Sequence, residues 1–283
     1  MTEVYSRFYR EGASPVKGPR ARARDFMRGL ALDGLSWLSP MASGSFLKCL
    51  FCHYVFDDQV AAFERILRSL MEVGQFIDTD RCLQMLSGER PVDGRYFHLS
   101  FDDGFRNNFT NAMPVLKGMS IPALFFVPTA FVNADWQRAK EYCFSTSEAY
   151  SGVIEMARWD DLKATVDAGF EVGSHTRHHV RLSDVSCDSA LLHDEIEGAK
   201  EELEKHLNVP CRFISWPYGR LEDIDETALG VIRSSHYSAC FSAVRGGVVA
   251  GKTDPFMIPR HHFEPQWPVR HVRYFACVGH EKD

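Results

Sequence analysis

Apolar runs alternate with amphipathic stretches along most of the chain. Residues 46–55, FLKCLFCHYV, form an apolar run with the length and composition of a buried strand. In the stretch that follows, apolar side chains repeat with the spacing of one helix face until a glycine ends the pattern. These positions are Phe63, Ile66, Leu67, Leu70 and Gly74. The two stretches predict a strand followed by a helix.

The same alternation continues toward the C-terminus. Further strands are predicted at YFHLSF, IPALFFVPTAFV, FEVGSHT, CRFISWPYG, YSACFSAV and MIPRHHF. Further helices are predicted at FRNNFTNAMPVLKGM, RWDDLKATVDAGF, SALLHDEIEGAKEELEKHL and DETALGVIRSS. Strands that alternate with helices indicate parallel β/α units. About seven such units predict an α/β fold that closes like a barrel, with an open sheet as the alternative.

The chain divides near residue 45. Residues 1–45 form a weakly periodic N-terminal extension, in which residues 25–38 are compatible with an amphipathic helix. Residues 46–283 form one predicted α/β domain, with residues 133–150 as an insertion over one face. A basic run in the extension favours a solvated arm, with contact to a membrane surface or an anionic partner as the alternative. It comprises Lys17, Arg20, Arg22, Arg24 and Arg28.

Composition narrows the class of protein. Of 283 residues, 45% are hydrophobic and 25% charged, as in a water-soluble globular protein, and the net charge of −6 argues against nucleic acid as the main partner. The polar N-terminus MTEVYSRFYREG lacks the apolar core of a signal peptide, and no stretch approaches the about 20 apolar residues of a membrane span. We therefore expect a cytoplasmic location. The eight cysteines are scattered and do not indicate a disulfide framework.

Polar side chains follow several predicted strands at the point where each strand ends. They are His53, Asp102, Asp103, His175, His179, Pro217 and Tyr218. In parallel β/α proteins, the functional site forms at the carboxyl ends of the strands. We therefore expect these residues to lie together.

The adjacent carboxylates of Asp102 and Asp103 repel each other, and burial is costly for either one unless it is paired or binds a metal. His175 and His179 have metal-ligand spacing if a helix begins at Thr176, and His178 is the competing second ligand. One carboxylate would then bind the cation while the other acts as general base toward the attacking water.

Three motifs resemble those of the polysaccharide deacetylases with a NodB-type domain, carbohydrate esterase family 4. S-F-D-D-G at residues 100–104 resembles [ST]-F-D-D-G, and H-T-R-H-H at residues 175–179 resembles H-[ST]-x-x-H. W-P-Y-G at residues 216–219 resembles the end of R-x-P-Y-G. The resemblance covers roughly residues 47–265 and implies a distorted (β/α)7 barrel, a divalent metal and hydrolysis of an N-acetyl group on an amino sugar.

The resemblance also implies a role for each matching residue. Asp103, His175 and His179 would hold the metal, and Asp102 would deprotonate the attacking water. The backbone N–H of Tyr218 would help to stabilise the tetrahedral oxyanion. Two histidines and a carboxylate suit Zn²⁺, the expected metal, and also Ni²⁺, Co²⁺ or Fe²⁺.

In two places the sequence departs from the family pattern, so another residue must take the role of the missing one. Ser215 stands where the third motif begins with Arg, and Arg260 is the candidate to hydrogen-bond Asp102 instead, unless it is paired elsewhere. The late L-x-H motif that carries the general acid is not found. The stretch C-H-Y-V resembles the Y-H-x-[IV] motif of poly-N-acetylglucosamine deacetylases, which makes His53 the expected acid, with His261 and His262 as alternatives.

The sequence therefore predicts a metal-dependent hydrolase that removes N-acetyl groups from an amino-sugar glycan. A nucleotide- or lipid-linked precursor in bacterial surface polysaccharide synthesis would suit the expected cytoplasmic location. One alternative keeps this chemistry on a non-sugar amide, as a deformylase or amidase. The other is a catalytically inactive carbohydrate-binding relative, which Ser215 supports.

Overall fold

A computed structural model describes residues 3–12, 27, 29, 32–34, 44–146 and 150–277. The basic run of the N-terminal extension lies outside these residues, as does most of the helix expected over residues 25–38. The strands are β1 Phe46–Cys52, β2 Gln75–Phe76, β3 Arg95–Phe101, β4 Leu124–Val127, β5 Glu171–Ser174, β6 Phe213–Ser215, β7 Ala239–Phe241 and β8 Arg260–His262. The α-helices are Tyr9–Gly12, Val60–Met71, Thr79–Ser87, Met113–Met119, Trp136–Thr146, Trp159–Asp167, Leu182–Val185, Ser189–His193, Ala199–Leu207, Glu226–Ser234 and Val269–Cys277.

The strands form a nearly closed parallel barrel. Their order is β7-β6-β5-β4-β3-β1-β8, and β2 pairs with the first half of β3. The seam between β7 and β8 is bridged just before β8, where Ile258 N donates to Cys240 O at 3.0 Å and Ile258 O accepts from Ser242 N at 2.9 Å. The predicted barrel-like closure is confirmed, since the two strands at the ends of this order, β7 and β8, are joined by this bridge.

Both faces of the strands are buried, which explains their continuous apolar sequences. Along β1, Leu47 and Cys49 join one apolar cluster with Phe126 of β4, while Leu50 joins a second cluster that contains the helix residue Phe63. Successive side chains of a strand point to opposite faces, so the first cluster fills the barrel and the second seals the helices onto it.

A third apolar cluster lies apart from these two and contains the predicted insertion. Helix Trp136–Thr146 contributes Tyr142 to it, and Tyr9 of the N-terminal segment packs against it. Residues 3–12 run along this region: Ser6 N donates to Val153 O at 2.8 Å. The described part of the predicted insertion therefore contributes to a small separate core, against which residues 3–12 pack.

Some local expectations were wrong or incomplete. The sequence analysis missed helices Thr79–Ser87 and Val269–Cys277, which are nine residues long each. The long helix predicted to begin at Ser189 contains a π-helical turn at Asp194–Gly198. Within the described ranges, no helix is both long and apolar enough to cross a lipid bilayer.

Candidate active site

The polar residues that end the strands meet at one rim of the barrel, around a cleft of about 540 Å³. Of the residues predicted from sequence, His53, Asp103 and Tyr218 line this cleft. Its wall also contains Tyr54, Phe105, Cys143, Ser145, Thr146, Tyr150, Ile154, Arg181, Arg220, His262 and Glu264. The cleft therefore joins strand ends of the barrel to the inserted segment.

Asp103, His175 and His179 converge as expected. Asp103 Oδ1 lies 3.3 Å from His179 Nε2 and 3.6 Å from His175 Nε2. All three side chains are largely buried, with exposed fractions of 13%, 3% and 5%. We refer to them below as the Asp-His-His triad.

The triad fits a divalent cation. A tetrahedral Zn²⁺ site with bonds of about 2.0–2.1 Å places its ligand atoms about 3.3 Å apart, close to the distances here. His175 Nδ1 donates to Ser215 O at 2.7 Å, which leaves Nε2 with a lone pair directed to the other two ligands. An N–H on one ring nitrogen and a free lone pair on the other is the usual arrangement of a metal-binding histidine.

The backbone at the three motifs is held in an uncommon conformation. Asp103, Thr176, His179 and Tyr218 all have φ between 59° and 70°, the left-handed region that non-glycine residues rarely occupy. At Gly219, φ is +72° and an added Cβ would lie 2.5 Å from Ala243 N. Such strain clusters at functional sites, where surrounding contacts impose it.

No helix begins at Thr176, which was the condition set for the two histidines to converge, and His178 does not join the triad. The segment is a loop in which both Thr176 and His179 have positive φ, so His175 and His179 converge through the turn. His178 instead approaches the buried Glu195, with Nδ1 2.7 Å from Oε1. Oε2 of Glu195 also accepts the backbone N–H groups of Arg177 and His178.

The second carboxylate of the pair, Asp102, is bound by Arg260. The guanidinium of Arg260 is fully buried in the barrel and donates from Nη1 to Asp102 Oδ1 at 2.7 Å and from Nη2 to Oδ2 at 2.8 Å. Its other N–H groups donate to Ser100 Oγ, Ser215 Oγ and Ser242 O. All five donors of the guanidinium are therefore used.

This network explains how the barrel accommodates a serine at the first position of the third motif. Ser215 Oγ is a hydrogen-bond acceptor for the Arg260 guanidinium, so the guanidinium reaches Asp102 from β8 and not from the end of β6. Burial would raise the pKa of Asp102, but the charge and hydrogen bonds of the Arg260 guanidinium hold it below its ordinary value. The carboxyl group is ionised at neutral pH.

His53 belongs to a second cluster on the same rim, with His262 and Glu264. His53 Nδ1 lies 3.0 Å from both Glu264 Oε1 and His262 Nε2, and His262 Nε2 lies 2.6 Å from the same carboxylate oxygen. We refer to these residues as the His-His-Glu cluster. Burial lowers the pKa of His53, but the hydrogen bond to Glu264 and nearby carboxylates outweigh burial and raise it to about 9.

The two alternatives to His53 are placed differently. His262 lines the cleft within the His-His-Glu cluster, whereas His261 is buried and does not line it. Adjacent residues of a strand point to opposite faces, and Arg260 and His262 share the inner face of β8. His261 therefore does not reach the cleft, and His53 and His262 remain as candidates for the acid.

Comparison with known proteins places the chain in a family. Residues 89–239, more than half of the chain, match the profile of the family described as polysaccharide deacetylase. The chain belongs to the polysaccharide deacetylase family. The matched part contains the three motifs, whereas His53 and Arg260 lie outside it.

Individual relatives agree with this assignment. The poly-beta-1,6-N-acetyl-D-glucosamine N-deacetylases of Staphylococcus aureus strains MRSA252 and N315 are 25% identical over 169 residues, 57% of this chain and 52% of each relative. The chain thus spans about half the length of the curated relatives it matches. The structure of IcaB from Ammonifex degensii matches with a TM-score of 0.67 at 24% identity, over 84% of this chain and 100% of that one. The deacetylase PplD from Streptococcus pyogenes gives 0.64 at 18%, over 83% and 99%.

The structural matches confirm the predicted barrel fold of this polysaccharide deacetylase family member. The site also holds residues that the sequence analysis missed: Ser100, Tyr142, Glu195 and Glu264. Ser100 lies two residues before Asp102, and Glu264 lies two residues after His262. Their positions near the ends of predicted strands could therefore have indicated them from the sequence. Tyr142 and Glu195 lie in helical segments far from the motifs, and no sequence pattern connects them to the site.

Proposed function

We propose that this protein is a metal-dependent N-deacetylase that hydrolyses N-acetyl groups on an amino-sugar glycan or its nucleotide- or lipid-linked precursor. The observation that carries the proposal is the buried Asp-His-His triad beside an ionised carboxylate, Asp102, which the triad does not use. Of the two adjacent aspartates, Asp103 would be the metal ligand and Asp102 the general base.

The triad would hold the divalent cation, with Zn²⁺ as the first choice and Ni²⁺, Co²⁺ or Fe²⁺ also suited to its donor set. When bound, such a cation supplies Lewis acidity for the acetamide carbonyl and for the attacking water. Asp102 is the residue to accept a proton from that water, because Arg260 fixes both its oxygens and keeps it ionised. An immobilised base of this kind needs little reorganisation when the water attacks.

His53 is the residue to protonate the leaving amine. Its pKa of about 9 keeps the ring protonated at neutral pH, as an acid must be before it donates. Nδ1 faces Glu264, which leaves Nε2 as the nitrogen available for the substrate. Tyr218 borders the same cleft, where its backbone N–H would contribute to binding of the oxyanion.

The substrate class rests on the family and on the relatives' printed activity. An N-acetylated amino sugar, with poly-β-1,6-N-acetylglucosamine as the first polymer to test, is the substrate we propose. The same triad and base would also serve a deformylase or amidase, so the test includes non-sugar amides. A place in surface polysaccharide synthesis follows from the proposed substrate.

The inactive, carbohydrate-binding alternative loses its main support. Ser215 suggested a missing catalytic arginine, but the Arg260 guanidinium occupies the position against Asp102 that such a residue would need. A catalytically inactive relative would not need a general base, whereas here both oxygens of Asp102 are fixed by the Arg260 guanidinium. The geometry therefore favours turnover.

The test pairs metal content with acetate release. We expect about one metal per chain in the purified protein, and acetate release from N-acetylglucosamine oligomers or nucleotide sugars. Asp103→Ala is expected to lose both, whereas Asp102→Asn keeps the metal and loses acetate release. His178→Ala is the matched control in the same loop and is expected to keep the metal. A wild-type protein that binds no metal after reconstitution would refute the proposal, and metal without acetate release from any sugar would redirect it to other amides.

A further inference from the structure

We propose that Tyr142, on the inserted helix Trp136–Thr146, is a positioning residue of the metal site. Its hydroxyl donates a hydrogen bond to Asp103 Oδ1 at 2.9 Å. This is the same oxygen that faces Nε2 of His175 and of His179. The inference rests on the proposed function only in that Asp103, His175 and His179 are taken as the ligands.

One carboxylate oxygen can serve both partners. It has two lone pairs, so Oδ1 can accept the phenolic proton on one and bind a cation with the other. The carboxylate plane is then set by Tyr142 before a metal arrives. Partners of this kind fix ligand orientation, and their loss typically weakens metal binding about 10–100-fold.

The two adjacent aspartates are held by different residues. Asp102 is fixed by Arg260 from within the barrel, through two hydrogen bonds. For Asp103, Tyr142 is the one non-histidine side chain among the described residues that donates to the carboxylate. Without Tyr142, no described side chain other than the two histidines would donate a hydrogen bond to the Asp103 carboxylate.

The Tyr142 ring is itself firmly placed. The residue is 1% exposed, and its ring lies 4.5 Å from Phe131, 5.8 Å from Phe105 and 5.4 Å from His179 between centroids. The helix that carries it is tied to residues 3–12, where Trp136 Nε1 donates to Val4 O at 3.3 Å. The inserted segment thus completes a site whose three ligands come from the barrel.

The test is Tyr142→Phe, which removes the hydroxyl and keeps the ring that fills the third cluster. Zn²⁺ affinity of the full chain, measured by competition with a chromophoric chelator, is expected to fall by about tenfold or more. The visible spectrum of the Co²⁺-substituted protein is expected to shift, because a change in the orientation of Asp103 changes the ligand field at the Co²⁺ ion. Tyr237→Phe is the matched control, since Tyr237 is also buried and its hydroxyl donates to Ile196 O at 2.9 Å. It is expected to alter neither readout.

A double-mutant cycle separates positioning from general loss of structure. With Asp103→Asn in the background, Tyr142→Phe is expected to change Zn²⁺ affinity much less than it does with Asp103 present. Tyr142→Met, which also lacks the hydroxyl, serves if Tyr142→Phe does not fold. Equal Zn²⁺ affinity in wild type and Tyr142→Phe would overturn this inference and leave the proposed function intact. An equal loss in both backgrounds would also overturn it, and a wild-type protein without Zn²⁺ affinity would overturn both.

Discussion

Two clusters on the rim of the barrel have the same composition, two histidines and one carboxylate, yet they differ in geometry and exposure. In the Asp-His-His triad, the two contacts of Asp103 Oδ1 measure 3.3 and 3.6 Å. In the His-His-Glu cluster, the ring nitrogens and the carboxylate oxygen that face each other are 2.6–3.0 Å apart, and the side chains of His53 and His262 are 31% and 29% exposed.

The difference in spacing indicates a difference in chemistry. Ligands around one small cation stand farther apart than hydrogen-bond partners, about 3.3 Å against 2.6–3.0 Å. The triad therefore has the spacing for a cation, and the His-His-Glu cluster has the spacing for shared protons. Residue types alone make the two clusters equivalent, and only the distances separate a proposed metal site from a proposed proton donor.

The largest expected effect is a contrast in metal binding between one histidine of each cluster. His175→Ala removes a proposed metal ligand. It should therefore lower metal affinity by more than the roughly 100-fold that is typical for loss of a residue that only orients a ligand. His262→Ala should leave metal content unchanged. Metal analysis after dialysis against a weak chelator measures both. Loss of metal in His262→Ala and not in His175→Ala would reverse the assignment of the two clusters.

The next effect concerns the rate of the reaction at constant metal content. His53→Ala should keep one metal per chain and lower kcat about 10²–10⁴-fold, the usual contribution of a general acid. Acetate release at saturating substrate gives kcat. The matched variant His262→Ala distinguishes the two candidates for the acid: if it shows the larger loss in kcat, His262 and not His53 protonates the leaving amine.

A smaller but measurable effect is expected in the buried pair of Arg260 and Asp102, the proposed base. Arg260→Met leaves the Asp102 carboxylate buried without its partner, which should lower the free energy of unfolding by about 3–5 kcal/mol. Adding Asp102→Asn removes the stranded charge and should restore part of the loss. Urea unfolding of the metal-free variants provides the measurement. If the double variant is no more stable than Arg260→Met, the ion pair is not what Arg260 contributes.

The sequence predicted the elements that have strong local patterns. The run FLKCLFC and the helix pattern that follows it are local features, and the structure has β1 and helix Val60–Met71 there. The barrel was predictable because alternating strands and helices allow few other arrangements. The strand ends were also sufficient to bring Asp102, Asp103, His175 and His179 together.

The remaining features depend on contacts between distant segments. Tyr142 reaches Asp103 only because residues 3–12 and the inserted helix pack over the rim, and neither segment has a pattern that indicates this. The turn at Thr176 adopts positive φ although threonine is β-branched and rarely takes that conformation, so local propensity did not indicate this turn. The buried Glu195 supplies the missing reason, since it binds the backbone N–H groups of the turn.

The smallest expected effect lies within the His-His-Glu cluster and appears as a change in pH dependence. Burial lowers the pKa of His53, but the hydrogen bond to Glu264 and the charges of Asp103, Glu264 and Asp102 raise it to about 9. Activity that needs protonated His53 should therefore fall as the pH rises through about 9. Glu264→Gln removes the charge, so the alkaline limb should move to lower pH, while kcat at pH 6 changes by less than about tenfold. The pKa of His53 in the folded protein lies above its value of about 6.5 in the unfolded chain. Protonated His53 therefore makes its full contribution to the free energy of unfolding below about pH 6.5, and this contribution is lost as the pH rises through about 9. A profile of kcat against pH for wild type and Glu264→Gln decides the matter: an unmoved alkaline limb would mean that it reports a group other than His53.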